Sequence, residues 1–213
     1  MPHNRLIYVM DPMCSWCWGF APVAEALIQQ ALAAGVRTHI VLGGLRSGTG
    51  AALDPVTRDY IVKHWTAVHE ATGQPFRFED ALPDGFVYDT EPACRAVVAV
   101  RELAPELCWP LVKLISHAFY AQGSDVTRAA QLVPLAEAAG VPRIEFAEAF
   151  DNVATLDRTQ ADFAWARDLG IAGFPTLLAE RDGQLALLTN GYQPLKDLAP
   201  LLARWLERAT DAR

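Results

Sequence analysis

Apolar positions along the chain fall into two regimes, strand-like at both ends and helical between. Near the start, Leu6-Ile7-Tyr8-Val9-Met10 form a short unbroken apolar run, the pattern of a strand buried on both faces. Asp11-Pro12 breaks the run. From Cys14 to about Ala34 the chain is rich in Ala and Leu, which predicts a helix with Gly35 as its C-terminal stop. Pro22 removes one i to i−4 hydrogen bond inside that helix and is expected to bend it. Val36 to Leu42 alternates apolar with polar residues and predicts a second strand, closed by Gly43-Gly44.

The middle of the chain is almost wholly helical in pattern. Asp54-Pro55 presents an N-cap followed by Pro at the first helical position, and Val56, Ile61, Trp65 and Val68 recur at helical spacing up to Gly73. Thr90-Glu91-Pro92 predicts a helix to about Ala104, and Pro105 or Glu106 begins another that ends before Gly123. Ser124-Asp125 is expected to cap a further helix stopping at Gly140, and Arg143 to Leu169 holds one or two more. Strands return at Pro175 to Glu180 and Gln184 to Thr189, separated by the turn signal Arg181-Asp182-Gly183. Asn190-Gly191 turns again. A last helix, Leu195 to about Arg208, carries Leu198, Leu201, Leu202 and Trp205 on one face. The order is β-α-β, a helical block, then β-β-α, so the two ends must combine into one sheet.

Composition narrows the function classes. The 213 residues are 52% hydrophobic and 20% charged, enough for a well-packed core. A net charge of −7 and the lack of a basic run argue against a nucleic-acid backbone binder. The N-terminal apolar run is shorter than the roughly seven to fifteen residues of a secretory signal. No stretch reaches the roughly eighteen apolar residues of a membrane span. A cytoplasmic protein is therefore expected, in a reducing compartment where structural disulfides are rare.

Against that background the 4 cysteines are candidates for chemistry. Cys14 and Cys17 form a CxxC at the predicted helix start, close enough along one helix face to form a disulfide. There, unpaired backbone N–H groups and the positive end of the helix dipole stabilise an anion. Thiols in such motifs ionise over roughly 3.5 to 7.5, and the thiolate is the attacking species in disulfide exchange. Cys14 is the expected nucleophile. Cys17, one turn further in, is expected to be more buried and to resolve the mixed disulfide. Trp16, Trp18 and Phe20 would shield it and offer an apolar surface to a peptide.

Other readings of these cysteines are weaker. A zinc site needs two further ligands, and Cys94 and Cys108 fall in predicted helices without a second CxxC or an HxxxH, so no metal is expected. A purely structural disulfide closing so short a loop gains little. Cys94 and Cys108 themselves read as small core residues.

The strand, DPMCSWCWGF on a helix, the long helical insertion, and GIAGFPT before a strand together resemble the DsbA-like branch of the thioredoxin superfamily. More closely they resemble its cytosolic FrnE-like members, labelled protein-disulfide isomerases. The likeness runs over essentially the whole chain. Tyr88-Asp89-Thr90-Glu91-Pro92-Ala93 and Gln160-Ala161-Asp162-Phe163-Ala164 carry it more weakly. It implies a thioredoxin-like α/β fold with a large all-helical insertion: residues 1–52 and 166–213 as one discontinuous domain, and 53–165 as a helical subdomain. It further implies a cis Phe174-Pro175 bond facing the cysteines, with the proline excluding metal from the thiols. The backbone of Phe174 would then pair with a substrate peptide added as a short extra strand, with Thr176 beside the contact. Ser15 and Trp16 complete the implied substrate-binding set. The implied activity is thiol–disulfide exchange on protein or peptide substrates, with no bound cofactor and with glutathione as a redox partner.

Two departures qualify the likeness. Periplasmic DsbA proteins carry a His inside the CxxC, whereas Ser15-Trp16 stands here, so their strong oxidising poise does not carry over. The direction stays open among oxidant, reductase and isomerase, as do the electron donor and the oligomeric state. A sister branch, the kappa-class glutathione transferases and hydroxychromene-carboxylate isomerases, keeps the insertion but usually has Ser at the position of Cys14 and lacks the second Cys. Retention of both thiols favours dithiol chemistry over one-step glutathione addition. A redox-sensitive binding protein without turnover is the reading from another class.

The remaining motifs are modest. His64 and His69 miss the i,i+4 spacing of paired ligands, and His3, His39 and His117 stand apart. Trp65, Trp109 and Trp165 fall at core positions of helices. Gly43 to Gly48 is glycine-rich but contains neither GxGxxG nor GK[ST]; it reads as a loop near the cysteines, where Arg46 could meet a carboxylate.

Overall fold

The computed structural model describes residues 4–210; His3 lies outside them. Strand β1 (Arg5–Met10) leads into helix α1 (Ser15–Ala33) and strand β2 (Arg37–Leu42). Five helices and a short turn of 3₁₀ helix follow before helix α7: α2 (Pro55–Thr72), α3 (Glu91–Leu103), the 3₁₀ turn (Pro105–Leu107), α4 (Cys108–Tyr120), α5 (Ala129–Ala139), α6 (Arg143–Phe150), and then α7 (Val153–Asp168) itself. Strands β3 (Thr176–Arg181) and β4 (Gln184–Asn190) and helix α8 (Leu195–Thr210) complete the chain. The strand order is β2-β1-β3-β4, with β1 parallel to β2 and antiparallel to β3, and β3 antiparallel to β4. The two ends of the chain therefore build one mixed sheet, as the β-α-β and β-β-α pattern requires.

Alternation along β1 explains its unbroken apolar run. Leu6, Tyr8 and Met10 point into the main core with α1 and the helical block, while Ile7 and Val9 point the other way, onto Val41, Leu178 and Ala166 of α7. Helix α3 is buried through Ala93, Cys94 and Ala96 to Val100, so it is apolar nearly all round and serves as the centre of the helical layer. Helix α7 contacts both α3 and β2, and a division of the chain at 165/166 falls within it. Helix α1 continues through Pro22. At Gly19 an added Cβ would lie 2.7 Å from Val68 Cγ1, so α1 needs glycine there to admit α2.

The free edge of β2 is covered. Arg101 of α3 donates to the Ile40 carbonyl (2.7 Å) and forms a two-pronged pair with Asp162 of α7 (2.7 and 3.1 Å), while Leu42 N–H donates to Asp162 (3.0 Å). One ion pair thus satisfies two outward-facing backbone groups of an edge strand.

Two expectations, the Asp125 cap and the burial of Leu201, need correction. Asp125 does not cap α5: it accepts from the N–H and hydroxyl of Thr127 in a separate turn, and the helix starts at Ala129. The helix expected from Pro105 or Glu106 does start at Pro105, as the 3₁₀ turn that runs directly into α4. Leu201 is exposed, so the buried stripe of α8 consists of Leu198 and Leu202 with Trp205 half-buried. The Asp54 cap meets expectation, accepting from Thr57 N–H (3.0 Å), and so does the left-handed stop at Gly73.

Candidate active site

Asp11-Pro12 ends β1 and turns the chain so that Cys14 becomes the N-cap of α1. Its backbone N–H donates to Asp11 O (3.0 Å) and its carbonyl accepts from Trp18 N–H (3.0 Å), fixing the first turn. The first turn of α1 contains no acidic side chain of its own, so nothing within the helix offsets the positive end at which Cys14 stands. Both thiols are reduced and buried, Cys14 5% exposed and Cys17 2%. Burial pushes the Cys17 thiol well up from its ordinary value, helped by its hydrogen bond with Cys14 and the charge there.

Opposite Cys14 lies the loop before β3. The Phe174-Pro175 peptide is cis, and Cys14 Sγ stands 3.7 Å from the Phe174 carbonyl oxygen. Residues 160 positions apart in sequence are thus brought together at the sheet end. Thr176 is buried and its hydroxyl donates to Gly173 O (2.8 Å) with Asn190 Oδ1 at 3.1 Å; Pro175 O accepts from Gly191 N–H (2.7 Å). These bonds tie down the loop. Phe174 is half-buried against the loop after β2, where a Cβ on Gly43 would lie 1.9 Å from its ring. Ser15 and Trp16 are half-buried, and the Trp16 ring packs on Tyr192 at 5.8 Å.

Trp18 and Phe20 offer no surface to a peptide. Trp18 is buried, donates to Pro75 O (3.0 Å) and stacks on Tyr120, while Phe20 is fully enclosed beside Tyr8. The side of α1 that carries Cys17 also points into the core, and they follow it inward.

Several residues around the thiols were not singled out by sequence reasoning. Asp11 is fully buried, and its carboxylate accepts from Met13 N–H (2.8 Å), Leu45 N–H (2.8 Å) and the Cys94 thiol (3.4 Å). Burial raises its carboxyl from the ordinary value, while those bonds and one from Thr90 pull it back. Tyr88 donates to Met13 O (2.6 Å) and Ser116 to Pro12 O (2.8 Å), so the helical layer grips the segment that presents Cys14. Tyr8 is buried, and its hydroxyl has no hydrogen bond that meets ordinary geometry; burial raises its phenol far up, with Cys17 and then Cys14 adding to the shift. An Asp beside a breaker Pro, immediately before the CxxC, was the one available signal for this network.

The other thiols and imidazoles lie elsewhere. Cys108 is buried with its thiol directed at Val97 O (3.7 Å), and burial pushes it up to about 12. It lines a cavity of about 640 Å³, shared with Glu25, His39, Arg101 and Lys113, in which Glu25 is held by Trp109 and Lys113. His64, His69 and His117 are exposed, and His39 is half-buried. No group of three or more His, Cys, Asp or Glu among the described residues is arranged to hold a metal ion. Nor is any helix among them long and apolar enough to cross a membrane.

Known proteins share this arrangement. Residues 5–203 match the family model described as DSBA-like thioredoxin domain. A candidate protein disulfide isomerase from Nitrosomonas europaea is 44% identical, with 96% of this chain and 98% of that one covered and a TM-score of 0.91. The cytosolic disulfide reductase DsbM from Pseudomonas aeruginosa is 29% identical over 98% of this chain and 100% of that one, with a TM-score of 0.77, and has also been solved with GSH. A 2-hydroxychromene-2-carboxylate isomerase shares the fold at 14% identity and a TM-score of 0.66, with 98% of each chain covered. No curated protein matches the chain. The paired thiols at a helix start, the facing proline loop and the helical insertion thus sit in a chain that belongs to the DSBA-like thioredoxin domain family.

Proposed function

We propose that the protein catalyses thiol–disulfide exchange on protein or peptide disulfides, with Cys14 as nucleophile and Cys17 as resolving thiol. The observation that carries this reading is the approach of Cys14 Sγ, at the start of α1, to the Phe174 carbonyl. A disulfide seated along the backbone of Phe174 would present a sulfur to the Cys14 thiolate. Attack forms a Cys14–substrate disulfide and expels one substrate thiolate. Cys17, held protonated by burial until then, loses its proton and attacks the Cys14 sulfur. That step releases the second substrate thiol, leaves a Cys14–Cys17 disulfide, and moves two electrons to substrate. The reverse sequence oxidises a dithiol.

Trp16, beside Tyr192, and Ser15 would flank the bound peptide, while Pro175 and Thr176 hold the loop that receives it. The electrons reside on sulfur throughout, so the reading calls for no prosthetic group; glutathione is the proposed small redox partner, supported by the relative solved with GSH. The same relative is described as cytosolic, in keeping with a cytoplasmic setting here.

Equilibration in glutathione buffers of graded potential, with trapping and mass analysis of free thiols, tests the reading. The wild type should lose two thiols reversibly. Cys14→Ser should abolish exchange, and Cys17→Ser should accumulate a mixed disulfide. A midpoint near roughly −270 mV would mark a reductase and one near roughly −120 mV an oxidant. Full activity in both single variants would refute the assignment, and a stable single glutathione adduct on the wild type would point to transferase chemistry instead.

A further inference from the structure

Strand β2 runs out into a loop that brackets the thiol. Gly43 lies against Phe174, Leu45 N–H is held by Asp11, and Arg46 comes next. The backbone of Arg46 is fixed by Thr90, whose hydroxyl accepts from Arg46 N–H (3.2 Å). Its guanidinium lies over the Tyr88 ring, 5.4 Å from the centroid, and the hydroxyl of that ring is bonded to Met13 O, one residue before Cys14. A half-buried cation is thus held on a rigid aromatic platform bound to the segment that presents the nucleophile.

The contrast with the chain's other part-buried arginines is informative. Arg58 pairs with Asp84, Arg95 with Glu91 and Arg101 with Asp162, and Arg181, over the Trp205 ring, donates to the Trp205 carbonyl, whereas the Arg46 guanidinium has neither an ion pair nor a hydrogen bond among the described residues. The neighbouring Asp89 carboxylate accepts from the N–H groups of Gly48 and Glu91 (both 3.0 Å). A guanidinium in this state has donors available for a planar anion, and carboxylate is the one that matches its geometry.

We infer that Arg46 forms a carboxylate subsite for the disulfide substrate, selecting disulfides that carry an acid group close to the sulfur. The inference rests on the exchange reading above and adds a selectivity to it. Glutathione disulfide offers such carboxylates, and so does a peptide disulfide flanked by Glu.

Rate constants for exchange should therefore be measured with glutathione disulfide, with neutral hydroxyethyl disulfide, and with a peptide disulfide flanked by Glu or by Gln. In Arg46→Met, the ratio of glutathione disulfide to hydroxyethyl disulfide rates should fall about tenfold, and Arg46→Lys should retain part of it. A matching fall in the Glu-to-Gln ratio would extend the subsite to protein substrates; an unchanged one would confine it to the small tripeptide. The Kd of unreactive S-methylglutathione, measured on the reduced protein, should rise about tenfold in Arg46→Met. If the wild type exchanges but neither ratio nor Kd moves, the subsite is refuted and the exchange reading stands. If the wild type exchanges with none of the disulfides, the exchange reading falls, and S-methylglutathione binding alone decides the subsite.

Discussion

Cys14 and Cys108 both sit at the first turn of a helix and both are buried, 5% and 4% exposed. Position relative to the helix is therefore not what separates them. Cys14 caps α1 where two distant parts of the sheet meet, and its sulfur faces the Phe174 carbonyl. Cys108 opens α4 beneath the helical layer, its thiol turned toward Val97 O, and burial holds it near 12. The same motif-level feature becomes a candidate nucleophile in one place and filler in the other. What separates them is what each sulfur faces: the proline loop before β3 for Cys14, and a carbonyl of α3 for Cys108.

The largest expected effect in this comparison is chemical. At neutral pH a thiol near 12 is ionised in roughly one molecule in 10⁵. Native-state alkylation followed by peptide mass analysis should label Cys14 first, with Cys94 and Cys108 following orders of magnitude later or only after unfolding. Equal labelling of Cys14 and Cys108 would erase the distinction.

A second way to press the comparison is to loosen the framework around Cys108. Arg101 is the neighbour that draws its thiol down, and the Arg101–Asp162 side chains are only 11% and 12% exposed. Arg101→Met leaves a largely buried carboxylate without its counter-charge, only the Leu42 N–H remaining, so urea denaturation should register a loss of about 3 kcal/mol. A loss below about 0.5 kcal/mol would show the pair to be a surface ornament.

Asp11 links the two thiol classes, touching Cys94 directly and raising Cys17 by its charge. Because burial raises its own carboxyl, the folded chain holds that proton more tightly than the unfolded one. This contribution to stability is complete at low pH and is lost as pH rises from the usual carboxylate range through the raised value. The stability of the wild type relative to Asp11→Asn should therefore decline as pH rises above about 4, the ordinary carboxylate value. A difference that stays flat with pH would contradict the raised value. The smallest effect belongs to Cys94→Ala, which removes one weak donor from Asp11 and should cost about 1 kcal/mol with exchange rates within about twofold; a larger loss of rate would give Cys94 a part in the chemistry.

Much of the fold was legible along the chain because its signals are local. Asp54-Pro55 with Gly73 delimits α2, and the apolar run at Leu6 to Met10 marks a strand covered on both sides. The CxxC advertised the candidate site through spacing alone. The errors arose where a local signal had two uses. Asp125 can cap a helix or close a turn, and the turn won. Trp18 and Phe20 could have lain on either side of α1, and the apolar interior took them. The Asp11 network and the Arg101–Asp162 pair stayed hidden because each joins groups far apart in sequence, and no periodicity reports such a meeting.

The ion pair along β2 has a bearing on how small this domain can be made. Both of its members come from helices, and they occupy the outward-facing groups of Ile40 and Leu42 that another chain would otherwise use to extend the sheet. Trimming the protein to its strands and flanking helices would bare that edge. Such a minimal version would keep both cysteines and still be prone to stack edge to edge into oligomers. The helical layer therefore doubles as a cover for the β2 edge, and any miniaturised module built on this scaffold would need a replacement for it.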